Sequence, residues 1–173
     1  MTLKKGTLEF LTIATEFCAF IEKAEHFSKK DFIEKSQKII SLLYLKAILL
    51  EPNSEIDGYC EQIVTEDDWN FIKDAIELKL GSHEGFVDVM EPDNYENSES
   101  IQVSISECFA DIYQDLREFV ERFNDTNDET QELAIFECSL NFKMYWGPRA
   151  IAILKEFHSL LFATNSTIEE EEE

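Results

Sequence analysis

Asp111 and Asp115 stand one helical turn apart, and two carboxylates at that spacing can hold a hard cation or share a proton. Glu107, Glu118 and Arg122 fall on the same side, so the preferred expectation is a solvated acidic helix face. The three histidines, His26, His83 and His158, have no Glu or Asp three residues before them. The Glu-x-x-His pattern of a di-iron bundle is therefore missing. His158 follows the apolar positions Ile151 and Leu154 and is expected in the core, hydrogen-bonded, while His83 is expected at the surface. Asp88, Glu91, Asp93 and Glu96 lack the spacing and central glycine of a calcium-binding helix-loop-helix. No Ser or Cys nucleophile motif and no phosphate-binding glycine loop occurs, and Cys108 and Cys138 have no histidine at a foreseeable position. No catalytic residue, metal ligand or cofactor is assigned.

One cluster stands out. Tyr145-Trp-Gly-Pro-Arg149 places two aromatics, a helix break and an arginine within five residues. Trp and Arg are frequent anchors at interfaces. With Trp69 and Tyr113 they could line a groove for a peptide or a small anion, so Trp69, Tyr113, Trp146 and Arg149 are the candidate binding residues. The preferred alternative is a tight corner between helices with Trp146 in the core.

The elements that would position these groups are helical. Thr7–Phe27 shows apolar residues at helical spacing, including Leu8, Leu11, Phe17 and Ile21. Ser28 with Asp31 reads as a start signal, and Pro52 ends the second helix near Glu51. Within it Ile39–Leu50 has only Ser41 and Lys46 as polar residues, which predicts the central helix of a bundle. A short helix is expected over 55–64. Thr65 and three acids then open a third helix that Gly81 stops. Residues 82–100 read as one long irregular stretch, and a loop of that length, here to about residue 103, is usually functional or mobile. Ser104-Ile-Ser-Glu107 is a capping box, and Ile105, Phe109, Ile112, Leu116, Phe119 and Phe123 form a heptad seam behind it. A fifth helix should cover Asp128–Trp146 and end at Gly147, with Pro148 opening a sixth.

These segments predict an all-α fold, a single-domain bundle of six or seven mostly antiparallel helices over 1–165, with a disordered acidic tail over 166–173. The 173 residues suit one domain, and 14 phenylalanines supply a core. Lys4 and Lys5 mimic the start of a signal peptide, but Glu9 and Glu16 interrupt the apolar run, and the longest apolar run is too short to span a bilayer. Cys18, Cys60, Cys108 and Cys138 are dispersed, as buried thiols of a reducing compartment would be, so a cytoplasmic location is expected.

The segments SLLYLKAILLE (41–51), VTEDDWNFIKDAIELKLG (64–81), ISECFADIYQDLREFVERF (105–123) and YWGPRAIAILKEFHSLL (145–161) resemble an uncharacterised bacterial family, the domain of unknown function 5063. Order and spacing agree from about Leu8 to Leu161. The resemblance implies a helical domain of this size and brings no reaction, ligand or catalytic residue with it.

Net charge is −22, of which residues 1–80 hold −5 and residues 81–173 hold −17. Such a surface repels nucleic acid and anionic membranes and attracts a basic protein or peptide. The expected function is a non-enzymatic interaction module with an acidic surface, using helix faces near the 82–103 loop. The alternatives are a small-ligand pocket or enzyme near Trp69, Trp146 and Arg149, and a nucleic-acid mimic.

Overall fold

The computed structural model describes residues 4–52, 58, 61–90, 99–125 and 127–163. Six α-helices make up most of these residues: α1 (Lys5–Ile21), α2 (Lys29–Ile48), α3 (Glu66–Leu80), α4 (Ile105–Phe123), α5 (Asp128–Asn141) and α6 (Gly147–Phe162). The expected helical bundle is present. Among the described residues no helix is long and apolar enough to cross a membrane. The tail beyond residue 163 and half of the short helix expected over 55–64 lie outside the described residues, and residues 61–64 are not helical.

Local chemistry explains the helix starts. The Ser28 hydroxyl accepts the Asp31 N–H at 3.1 Å, so α2 begins where the capping signal lies. Thr65 and Asp68 form a complete capping box: the Thr65 hydroxyl accepts from Asp68 N–H, and the Asp68 carboxylate accepts from Thr65 N–H at 2.9 Å. Gly81 ends α3 with φ +56, a conformation that side chains with a Cβ rarely adopt. The first helix stops earlier than expected, at Ile21, and a 3₁₀ turn over Ala24–His26 leads on to Phe27.

The irregular stretch expected over 82–100 needs correcting. Gly85–Met90 (β1) and Glu99–Ser104 (β2) pair antiparallel, with Gly85 opposite Ser104 and Met90 opposite Glu99. Phe86 turns inward and is buried while Val87 is exposed, the alternation that a ribbon lying on a bundle requires. Strand β2 runs straight into α4. Ser104 caps that helix through Glu107 N–H, but the second half of the expected box is not made by Glu107. Glu84 serves the first turn in another way, accepting from the Ser106 N–H and from the hydroxyls of Ser104 and Ser106.

The centre of the bundle is α4, and α1, α3, α5 and α6 all pack on it. Its six seam residues, Ile105, Phe109, Ile112, Leu116, Phe119 and Phe123, are all buried. Phe109 meets Phe17, Phe32 and Phe157. Each such ring removed from water contributes about 2 kcal/mol. The stretch Ile39–Leu50 is not the centre. Ile40, Leu43, Ala47 and Leu50 are buried, but Leu42, Leu45, Ile48 and Leu49 are 43% to 56% exposed. Helix α2 packs chiefly on α1 and α6, so one side of it has no neighbour among the described residues.

Helical conformation runs without a break from α5 into α6 through a π turn over Phe142–Trp146. The expected stop at Gly147 is absent. The reason lies in the spacing of the buried row Cys138, Phe142, Trp146 and Ala150. Steps of four overshoot a 3.6-residue turn by about 40° each. A wider turn absorbs the excess and keeps all four pointing inward. The Gly147 N–H bonds the Phe142 carbonyl, and a Cβ on Gly147 would run into that same oxygen.

Candidate functional site: a polar cleft along α4

The side of α4 opposite its apolar seam carries Asp111, Gln114, Asp115, Glu118 and Arg122 at steps of three and four. One wall beside this row is the 61–65 segment with the start of α3; the other is α5 and the start of α6. Two adjoining cavities lie between the walls. One, of about 540 Å³, is lined by Trp69, Thr65, Glu66, Asp111 and others. The next, of about 270 Å³, is lined by Asp115, Glu118, Arg122, Glu137 and Asn141 among others. Gln62 and Gln114 line both.

The expected solvated acidic face is therefore a partly buried network. Asp111 accepts the Trp69 indole N–H at 3.0 Å and the Arg149 Nε at 2.6 Å. The Arg149 guanidinium lies 3.8 Å over the Tyr145 ring and donates to the Tyr145 carbonyl at 2.9 Å. Burial, with Asp111 nearby, raises the Tyr145 phenol above its ordinary pKa. One turn on, Asp115 Oδ1 accepts from the Asn141 amide at 2.6 Å. Its Oδ2 is buried and has no hydrogen-bond partner among the described residues. Burial, reinforced by the charge of Asp111 and opposed by Asn141, pushes the Asp115 carboxyl up to about 6.

Glu118 closes the cleft floor. Its Oε1 accepts the N–H groups of Ile63 and Val64, each at 2.7 Å. Its Oε2 lies 2.8 Å from Arg122 as an ion pair, without the alignment of a hydrogen bond. Arg122 also reaches Glu137 at 2.6 Å and the Glu61 carbonyl at 3.0 Å. This pair ties a non-helical segment to the central helix and satisfies backbone donors that no ladder serves.

Of the four candidate residues, the structure brings Trp69 and Arg149 together on Asp111. Tyr113 and Trp146 line neither cavity. The Tyr113 hydroxyl donates to Glu22 at 2.9 Å, toward α1, and burial raises its pKa. Trp146 is fully buried, packed between Phe10 and Phe142 with Cys138 beside its indole N–H. His158 is not in the core: it is exposed and rests against Phe162. The buried positions of α6 are Gly147, Ala150, Ile153 and Phe157, and His158 follows the last of them.

Among the described residues no group of three His, Cys, Asp or Glu side chains is placed to hold a metal ion. Glu91, Asp93 and Glu96, the acids of the weak calcium-loop pattern, lie outside the described residues, as does Cys60. Cys18, Cys108 and Cys138 are free and buried, and burial pushes the first two up to about 12, so they stay protonated thiols.

The model of the family described as Domain of unknown function (DUF5063) matches residues 2–163. Among solved structures, the crystal structure of protein BF1032 from Bacteroides fragilis has a TM-score of 0.82 at 31% identity. The match covers 92% of this chain and 94% of that one. No curated protein matches the chain.

Proposed function

The chain belongs to the DUF5063 family of domains of unknown function, and from that premise we propose that it is a non-enzymatic interaction module whose α4 cleft receives a cationic side chain of a basic protein or peptide. The observation that supports this most is Asp115, which lines a cavity and whose buried second carboxylate oxygen has no hydrogen-bond donor among the described residues. A guanidinium or ammonium group would supply that donor and a compensating charge at once. The second cavity carries Asp115, Glu118 and Glu137 against Arg122 alone, so it is negative overall. In the first, Trp69 offers an aromatic wall beside Asp111 and Glu66, and a cation against such a wall gains about 1 kcal/mol. We place the module in the cytoplasm, a location that the three free thiols support.

Protonation sets the sign of the pH response. Asp115 is faced by Asp111 and Glu118 from its own helix, Asn141 from α5 and Arg149 from α6. A cation prefers the ionised carboxylate, so affinity should rise with pH through about 6 and fall below it. Binding should also weaken as salt is added.

The test uses a hexa-arginine peptide, followed by calorimetry and by Trp69 fluorescence. Gln114→Arg places a positive charge in the cleft, and Leu78→Arg makes the same charge change at a position 86% exposed on α3. Gln114→Arg should weaken the peptide by about tenfold or more, equivalent to roughly 1.4 kcal/mol, and Leu78→Arg by no more than about twofold. Equal losses from the two variants would mean that the peptide reads only net charge, and the proposal would be lost.

A further inference from the structure

We infer that the exposed apolar side of α2 is a self-association surface on which a second copy of this chain docks, two-fold and antiparallel, with Leu45 at the symmetry axis. Leu42, Leu45, Ile48 and Leu49 stand on this side, all about half exposed. Their steps of three and four make a continuous apolar strip, the seam that antiparallel helices use against each other.

Three observations select a second copy over another occupant. The first is charge at the two ends of the strip. Lys38 lies seven residues before Leu45 and is exposed; Glu51 lies six residues after it, three beyond the helix end at Ile48, and is 81% exposed along its side chain with Lys4 3.9 Å away. A two-fold axis through Leu45 places Lys38 about 10 Å from the axis along the helix direction, toward the end where the other copy's chain leaves α2 at Glu51, so the two charges are brought near each other twice. A strip whose ends differ in sign suits its own inverted image better than a partner of one sign.

The second is where the acids are. Helix α2 holds five lysines against two acids, whereas α5 holds four acids and no base, and α3 and α4 each hold five acids against two bases. A chain of net charge −22 repels its copy through most faces. The α2 side, with α1 and α6 beside it, is where a copy meets the fewest acids.

The third is extent. A stable dimer buries about 800 Å² on each partner, more than one helix strip supplies. Leu8 on α1 and Ile151 on α6 are 44% and 50% exposed, and both helices pack beside α2, so apolar surface is available beyond it.

Sedimentation of the full chain over about a thousandfold range of concentration tests the inference. A monomer–dimer equilibrium is expected, tightening as salt screens the mutual repulsion. Leu45→Glu should weaken dimerisation by about a hundredfold or more, since it places two like charges face to face on the axis. Lys38→Glu and Glu51→Lys should each weaken it, and the double variant should recover to within about threefold of the parent. Leu45→Cys should give a disulfide-linked dimer under mild oxidation, while Leu78→Cys, exposed on α3, should not. A chain that stays monomeric throughout overturns the inference. So does a dimer insensitive to Leu45→Glu, or a double swap that fails to restore association.

Discussion

Helices α2 and α4 exchange the roles that their composition suggests. Ile39–Leu50 is apolar nearly all round, yet half of it faces outward. The acid-rich α4 is the helix on which α1, α3, α5 and α6 all pack, and even Glu118 on its polar side is 8% exposed. Total apolarity does not place a helix at the centre; separation of its two sides does. Helix α4 has a clean apolar seam for the core and a polar row that neighbours can satisfy with Trp69, Asn141 and Arg149. Helix α2 has no such division, so one side is spent on α1 and α6 and the other is left over.

The sharpest way to break this contrast is Glu118→Ala. It strips the acceptor from two backbone N–H groups and leaves Arg122 short of a partner, so unfolding free energy should fall by about 4 kcal/mol, measured by urea titration. A loss under about 1 kcal/mol would show that the polar side of α4 is solvated after all. Next in size is Leu43→Ala, expected to cost about 3 kcal/mol because Leu43 is fully buried. The same truncation two residues on, Leu45→Ala, should change monomer stability by less than about 0.5 kcal/mol at 52% exposure. Similar costs for the two would erase the distinction between the sides of α2.

Asp115→Asn sharpens the comparison through pH. The folded-state pKa of Asp115 stands above the unfolded value of about 4, so ionisation penalises the folded chain as pH rises through 6. The variant escapes that penalty. Its stability relative to the parent should improve by on the order of 2 kcal/mol between pH 4 and pH 8, read from thermal melts at each pH. Smallest of all, Thr65→Ala removes the α3 cap and should cost about 1 kcal/mol without altering the α2 side.

Much of the fold was legible because it rests on local signals. Ser28, Thr65 and Ser104 start helices where their hydroxyls meet a backbone N–H three residues on, and Gly81 stops one. The heptad seam of α4 is buried at every position it named. The hairpin is hard to read from the sequence because its strands are six residues each and eight residues separate them, so no two-residue turn signal lies between the apolar runs. Trp69 and Arg149 were visible as candidates, but their meeting point was not. An aspartate facing water and an aspartate facing a groove leave the same mark in a sequence. What separates them is Trp69, 42 residues before Asp111, and Arg149, 38 residues after it. Tyr113 and Trp146 show the converse: interface-type residues serving as packing.

The π turn between α5 and α6 bears on how relatives of this chain can vary in length. One surplus residue is accommodated between Cys138 and Ala150 with the inward row intact, so a homologue one residue shorter there would close into an ordinary α-helix and keep its arginine opposite the aspartate. Pro148 could not remain in that shorter version, because its ring would press on the carbonyl four residues back. Nor would the shorter version need Gly147, whose missing side chain answers the close approach of Phe142. Deletion in this junction should therefore be found together with loss of the Gly-Pro pair, and either change alone should disrupt the helix.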